Sequence, residues 1–303
     1  MTSEHSGIVL RERLLRELSL KLVRVFDTNE HEPNKDVCLV EDMQKRVRVL
    51  RSGERRDPAV FPDGLIGKHF VIPALYATSA EPIYELEEYL EGDLVVDADK
   101  TPSASFPSEE ILDRIFAAFW EWQEVGKCAQ LVSQETHFEK HLTSALVLIS
   151  DDRHKSVINV FERHRAFFTD ASYPSKWKFA DDNLVLMNDG KLGYIDNARM
   201  GLRFWGYDMG WVYWPRWFRM GVDAWAEPAS SIADFQAFLD HWYASKPPDG
   251  VLDYSTFYFW AHLGLFTRLI GAFYDVKEHI SHAENWLDTN NKRTVFLEFI
   301  SNL

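Results

Sequence analysis

The feature that most constrains this chain is the segregation of its periodicities. Between residues 20 and 90, short alternating, β-branched runs follow one another with turn formers between them. After residue 110, almost every apolar pattern has helical spacing. The strand runs are 20–26, 37–42, 46–52, 70–78 and 82–90, the second and third joined by a turn at Met43–Lys45. A short amphipathic helix with Leu10, Leu14, Leu15 and Leu18 precedes them at 8–20. Residues 53–69 are broken by Gly53, Pro58, Pro62, Gly64 and Gly67, which leaves room for at most a short helix. Residues 92–110 read as a polar linker that ends in Ser108, an N-cap for a strong helix over 111–125. One or two helices are expected in 136–168, and others in 254–275 and 281–301. A single hairpin interrupts them at 183–196, with an Asn-Asp-Gly turn. The order predicts an α+β fold of two lobes, 1–92 and 93–303, with a cleft between them.

Charge and composition narrow the partners. The 303 residues carry 33 Lys+Arg against 47 Asp+Glu, a net charge of −14. The excess is uneven: residues 1–80 sum to +1 and residues 81–303 to −15. Nucleic acid and anionic membranes call for a basic surface, so neither is expected as a partner. The acidic second part favours a cationic or polyhydroxylated small molecule, and equally serves solubility. Two cysteines, Cys38 and Cys128, cannot form a disulfide framework and are expected to be buried and inert. No signal pattern opens the chain and no long apolar window crosses it, so a cytoplasmic protein is expected.

The chemistry concentrates in Lys178–Gly210. An antiparallel hairpin brings its ends together, so Asn183, just before it, and Asp196, just after it, should lie close. Two such oxygen ligands facing a cleft could hold Mg²⁺ with a nucleotide's phosphates; they would equally serve as turn residues flanking a hairpin. No Walker loop, G-x-G-x-x-G, G-x-S-x-G or H-E-x-x-H occurs, and His154, His164 and His262 have no metal-ligand spacing. The run 204–218 has eight aromatics in 15 residues. Its spacing at Trp211, Trp214, Trp217 and Phe218 argues mainly for core packing, with an aromatic wall for a ring or cation as the alternative.

In order and spacing, D-D-N at 181–183, N-D-G at 188–190, I-D-N-A at 195–198 and Y-D-M-G at 207–210 resemble the core of the aminoglycoside phosphotransferase and choline kinase family. That family has the protein-kinase-like fold. V-L-R at 49–51 resembles its third strand, and I-Y-E-L-E-E-Y-L-E-G at 83–92 its hinge segment. The resemblance spans about residues 20–275. It implies ATP and Mg²⁺ as cofactors and a small-molecule hydroxyl as acceptor. It implies Asn183 and Asp196 as metal ligands and Arg51, with Arg48 as fallback, beside the phosphates. It places Glu87, Glu88, Tyr89 and Leu90 around the adenine, and Asp208 as a brace for the catalytic loop.

The chain departs from the family at the catalytic base. Five residues before Asn183 stands Lys178 where the family has Asp, with Lys176 and Trp177 at the family's His and Gly. A cationic lysine cannot readily take a hydroxyl proton. Asp181 and Asp182 are therefore the substitute candidates. The alternatives are a pseudokinase-like binding module that has lost transfer, and nucleotidyl transfer from the same fold. The segment 27–36 also lacks the glycines usual in a phosphate-covering loop.

Overall fold

The computed structural model describes residues 4–26, 35–95, 107–134, 141–143, 146–147, 151–179, 181–219, 228–247 and 252–279. The expected helix at 281–301 and most of the segment 27–36 lie outside these residues.

Helix α1 (Glu4–Glu17) leads into a five-stranded antiparallel sheet. Its strands are β1 (Lys21–Val25), β2 (Asp36–Glu41), β3 (Val47–Ser52), β6 (Leu75–Ala80) and β7 (Ile83–Glu88), in the order β1-β2-β3-β7-β6. Strand alternation divides its residues between two faces. On one, the row Cys38–Leu50–Leu86 packs with Leu14 of α1 and Val40. On the other, the adjacent row sets Arg51 opposite Glu85, with Glu87 diagonal to it. A single residue of register thus separates an apolar layer from a charged one.

A second sheet runs β4 (Leu65–Ile66), β5 (Phe70–Ile72), β11 (Leu192–Tyr194), β10 (Leu184–Met187), β8 (Gly92–Leu94). Two expectations change here. The run 70–78 is two strands in two sheets, because Pro73 and Ala74 break it. The beginning of the expected linker is strand β8, whose Gly92, Asp93 and Leu94 pair with Met187, Leu186 and Val185. A Cβ at Gly92 would come 2.4 Å from the Leu186 carbonyl oxygen, so only glycine admits this pairing. Strands from both sides of residue 92 therefore share one sheet. A two-stranded sheet of β9 (Tyr173–Ser175) and β12 (Gly201–Arg203) completes the strands.

Helix α2 (Glu109–Val125) starts as expected at Ser108, whose Oγ accepts from the Ile111 amide at 3.4 Å. Its buried stripe of Leu112, Ile115, Phe116, Phe119 and Trp122 has helical spacing and faces the main core. There Phe116 stacks on Trp242 at 4.7 Å, and the Tyr194 hydroxyl donates to the Ala118 carbonyl at 3.0 Å. Further helices among the described residues include α3 (Asp151–Phe168), α4 (Tyr207–Arg219), α5 (Pro228–Ala244) and α6 (Tyr254–His279). Helices α4 and α6 meet through Gly206, Gly210 and Gly264. Among the described residues no helix is long and apolar enough to cross a membrane. Cys38 is buried as expected, and burial pushes its thiol up to about 12; Cys128, contrary to expectation, is exposed.

Candidate active site

The site is assembled from three pieces: the loop 176–183, the two ends of the β10–β11 hairpin, and the charged face of the first sheet. The hairpin is closed by Gly190, at φ +84°, which donates its amide to the Met187 carbonyl at 2.9 Å. At the other end the ladder continues one bond further, from the Ile195 amide to the Asn183 carbonyl at 3.2 Å. Asn183 and Ile195 are thus paired, and Asp196 follows immediately.

Asp208, at the start of α4 and 1% exposed, organises the loop from below. Its carboxylate accepts from Ser175 Oγ at 2.8 Å, the Lys176 amide at 2.8 Å and the Trp177 amide at 3.1 Å. Burial still pushes this carboxyl up, against the pull of Arg203, Ser175 and Lys176. Trp177 and Lys178 then take left-handed backbone angles, φ +60° and +44°, which ordinary residues adopt only under constraint. The Asn183 amide donates back to the Lys178 carbonyl at 3.3 Å. The loop is therefore closed at both ends, with Lys178 where the resemblance puts the base.

Asp196 also takes a left-handed angle, φ +58°. Burial would push its carboxyl up, but Arg51, Lys178, Lys176 and a hydrogen bond with Glu54 outweigh it and hold it below the usual carboxylate range. The Lys176 amine is fully buried and donates to the Ile195 carbonyl at 2.7 Å. Burial pulls it down to about 8 despite Asp196, Asp208 and Asp182.

Arg51 Nε donates to Glu87 Oε1 at 2.9 Å and lies 3.6 Å from Glu85. Its two Nη groups make no hydrogen bond among the described residues; Arg51 itself is buried, and its charge acts on Asp196. Arg48 is on the other face, over the Tyr76 ring at 3.7 Å; it is buried rather than solvated. Of the hinge residues, Glu87 is bound to Arg51, and Glu88 accepts from the Ala74 amide at 3.2 Å. Leu90 is buried against Gly193 of β11. The Tyr89 and Leu90 amides have no hydrogen-bond partner among the described residues. Asp182 is exposed and has no side-chain hydrogen bond among the described residues; Asp181 opens the short helical turn Asp181–Asn183, and its side chain lies outside the described residues.

The fold resembles those of solved structures over nearly the whole length of the chain, among them the following three. Choline kinase LicA from Streptococcus pneumoniae superposes with a TM-score of 0.59 at 11% identity, covering 99% of this chain and 100% of its own. Amicoumacin kinase hAmiN, in complex with AMP-PNP, Ca²⁺ and Ami, gives 0.56 at 14% identity, over 97% and 92%. The aminoglycoside phosphotransferase APH(4)-Ia, in a ternary complex with ADP and hygromycin B, gives 0.57 at 10% identity, over 95% and 97%. The chain has the protein-kinase-like fold. No family model matches it and no curated protein matches it in sequence. At these identities the kinase-like fold is what the likeness establishes, and function has to be argued from the site.

Sequence reasoning missed two groups here. Glu85 and Arg56, 0% and 3% exposed, join Arg51 and Glu87 in a buried quartet, where the Arg56 amide donates to Glu85 at 2.8 Å. The alternation E-L-E at 85–87 was the available signal. Glu121, amid the tryptophans of α2, accepts from the amides of Lys68 and His69, both at 2.7 Å, and so fixes the turn into β5.

Burial and the neighbouring Glu87 push the Glu85 carboxyl from 4.5 up to about 7, with Arg51 opposing them. Between these values the unfolded chain loses the proton while the folded chain keeps it. Stability therefore falls as pH rises through this window. Glu85→Gln, which keeps an acceptor for the Arg56 amide, should remove on the order of 2 kcal/mol of that fall. Urea unfolding at pH 4.5 and 7 measures it; equal pH slopes in the two proteins would refute the assignment.

Proposed function

We propose that this chain is an ATP- and Mg²⁺-dependent phosphotransferase of small molecules, with the nucleotide between lobes 1–92 and 93–303. The observation that carries this reading is the closed loop 176–183. It holds Asn183 beside the end of the hairpin, where Asp196 follows, its carboxyl held low by the charge of the buried Arg51. The donor set suits a hard divalent cation: one carboxylate, and one amide whose nitrogen is already bonded, leaving Oδ1 for the metal. A bound Mg²⁺ would neutralise charge on the nucleotide's phosphates. Arg51 would steady the α/β-phosphates, and the unpaired amides of Tyr89 and Leu90 are suited to an adenine edge. Lys176, anchored on the Ile195 carbonyl, positions the backbone that carries Asp196.

A second reading has a specific observation behind it. Lys178 occupies the base position with the loop otherwise intact, as a binding module that has lost transfer would show. Nucleotidyl transfer is a third possibility with a different base requirement.

Thermal unfolding with and without ATP–Mg²⁺ tests the nucleotide site. Saturation to 100 times Kd should add about 2.7 kcal/mol, and Asp196→Ala should lose most of it. A chain unmoved by millimolar nucleotide would end the reading. ADP formation that disappears in Asp196→Ala would exclude the binding module, and an AMP adduct by mass spectrometry would favour nucleotidyl transfer.

The acceptor's charge is a separate matter. The acidic excess of residues 81–303 favours a cation at long range. Salt screens that field beyond about 8–10 Å, whereas groups at the loop act at contact. The loop presents Lys178, with Arg199 beside it.

A further inference from the structure

Trp177 carries two cations. Lys178 Nζ lies 4.5 Å from its ring centroid and Arg199 Cζ 4.8 Å from it. Trp177 and Lys178 are half-buried and Arg199 is exposed. Among the described residues neither cation has a carboxylate within ion-pair distance. Behind them Trp211 lies 6.4 Å from Trp177 and carries Arg268 at 4.2 Å. Two cations held on one ring, with no ion pair among the described residues and with Lys178 acting on Asp196 only at longer range, make a local anion site in a chain of net charge −14.

We infer that the acceptor is an oxyanion, a carboxylate or a phosphate monoester, engaged by Lys178 and Arg199 over Trp177, rather than a neutral hydroxyl. The inference rests on the phosphotransferase reading and names the substrate class of that site. A hydroxyl must lose a proton to attack, and the position that holds the family's base holds a lysine here. A carboxylate is already deprotonated at neutral pH and needs none. What it needs is relief from the repulsion of an anionic phosphoryl group, and a cation at this place supplies that. The substitution at 178 and the second cation at 199 then have one explanation.

The step balances without a proton. The carboxylate oxygen forms a bond to the γ-phosphorus, and the bond from that phosphorus to the bridging oxygen breaks. The electron pair leaves with ADP, and an acyl phosphate results. A phosphate acceptor gives a pyrophosphate linkage in the same way.

The full chain is assayed with ATP and Mg²⁺ at pH 8. Succinate and inorganic phosphate are the oxyanion probes; glycerol and choline are the hydroxyl probes. One oxyanion probe is expected to raise ADP release at least tenfold over buffer alone. Succinate turnover should release no proton and yield a hydroxamate when hydroxylamine is present; phosphate turnover should yield pyrophosphate by phosphorus NMR. These two products separate the carboxylate from the phosphate source. Lys178→Met should lower the stimulated rate at least tenfold, and Lys178→Arg should keep at least a third of it. Should Lys178→Met fail to fold, Arg199→Met, at an exposed position, should raise the probe concentration for half-maximal rate severalfold. Stimulation by choline or glycerol with one proton per ADP would overturn the inference and leave the phosphotransferase intact. Lack of stimulation by both oxyanions, in a chain that ATP–Mg²⁺ stabilises, would overturn it equally. Absence of that stabilisation would instead remove the phosphotransferase reading on which it stands.

Discussion

Gly264→Ala is expected to destabilise the protein by about 3 kcal/mol or more, and Gly264→Val to prevent folding. A Cβ at Gly264 would lie 1.9 Å from the Gly206 carbonyl oxygen, and one at Gly206 would lie 1.9 Å from the Trp260 carbonyl oxygen. A Cβ at Gly210 would come 2.3 Å from the Gly264 carbonyl oxygen. The obstacles are backbone atoms on both sides, so no side-chain rotation relieves them; the helices must move apart. Overpacking against movable neighbours costs roughly 1–3 kcal/mol, and rigid backbone belongs at or above the upper end. Separation of α4 and α6 would also uncover Tyr207, Val212 and Leu265, all buried in the core. Gly271 on the same helix is the control. Its added Cβ would meet side chains and no backbone: the Arg268 guanidinium at 3.0 Å and the His141 ring at 3.9 Å. Gly271→Ala should therefore change stability by no more than about 1 kcal/mol, with helix propensity in its favour. Urea midpoints of the two alanine variants decide the matter. Equal midpoints would mean that the contact between α4 and α6 is not the constraint.

The places where sequence reading succeeded and failed share a physical pattern. The hairpin at 184–194, the cap at Ser108 and the stripe of α2 were legible because each is specified within a dozen residues. Strand β8 was not. Gly-Asp-Leu has little strand character, and only pairing with β10, some 90 positions away, makes it one. The run 70–78 divides for a different reason: its β-branched residues favour one strand, but Pro73 cannot donate to a ladder and ends the first.

The resemblance named Arg51 with Arg48 as fallback, and strand parity puts the two on opposite faces, Arg48 on that of Leu50. The hairpin logic brought Asn183 and Asp196 together, and their neighbourhood is now described. The partners of Arg51 were hidden, because the residues that pair with it stand more than 30 positions away in sequence. Nor does anything local reveal that the Lys176 amine is buried on the Ile195 carbonyl, or that Arg199 reaches the Trp177 ring. Lys178 was visible as a departure from the start, but its meaning depends on whether its loop is intact. The bond from Asn183 to its carbonyl shows that it is.

Asp208→Ala should cost about 3–5 kcal/mol and loosen the candidate active site before the rest of the lobe. The carboxylate closes three hydrogen bonds to Ser175, Lys176 and Trp177, and it faces Arg203, which is 2% exposed. Burial already raises this carboxyl and lowers the Arg203 guanidinium, so the pair itself adds little net stability. Removing one member is a different matter. It leaves a buried cation and two amides without their acceptor, and each unsatisfied group carries its desolvation cost. Asp208→Asn should recover only part of the loss, because both carboxylate oxygens accept and an amide offers only one acceptor. The left-handed angles of Trp177 and Lys178 persist only while their surroundings hold them, so these residues should relax first. Hydrogen exchange would then show faster amide exchange at 176–178 and at Ile195, whose carbonyl receives Lys176, with α2 still protected. A loss below 1 kcal/mol, or uniform loosening of loop and helix together, would show that Asp208 is not the brace. With the loop released, Asn183 would lose its anchor on the Lys178 carbonyl, and ATP–Mg²⁺ stabilisation should fall with it.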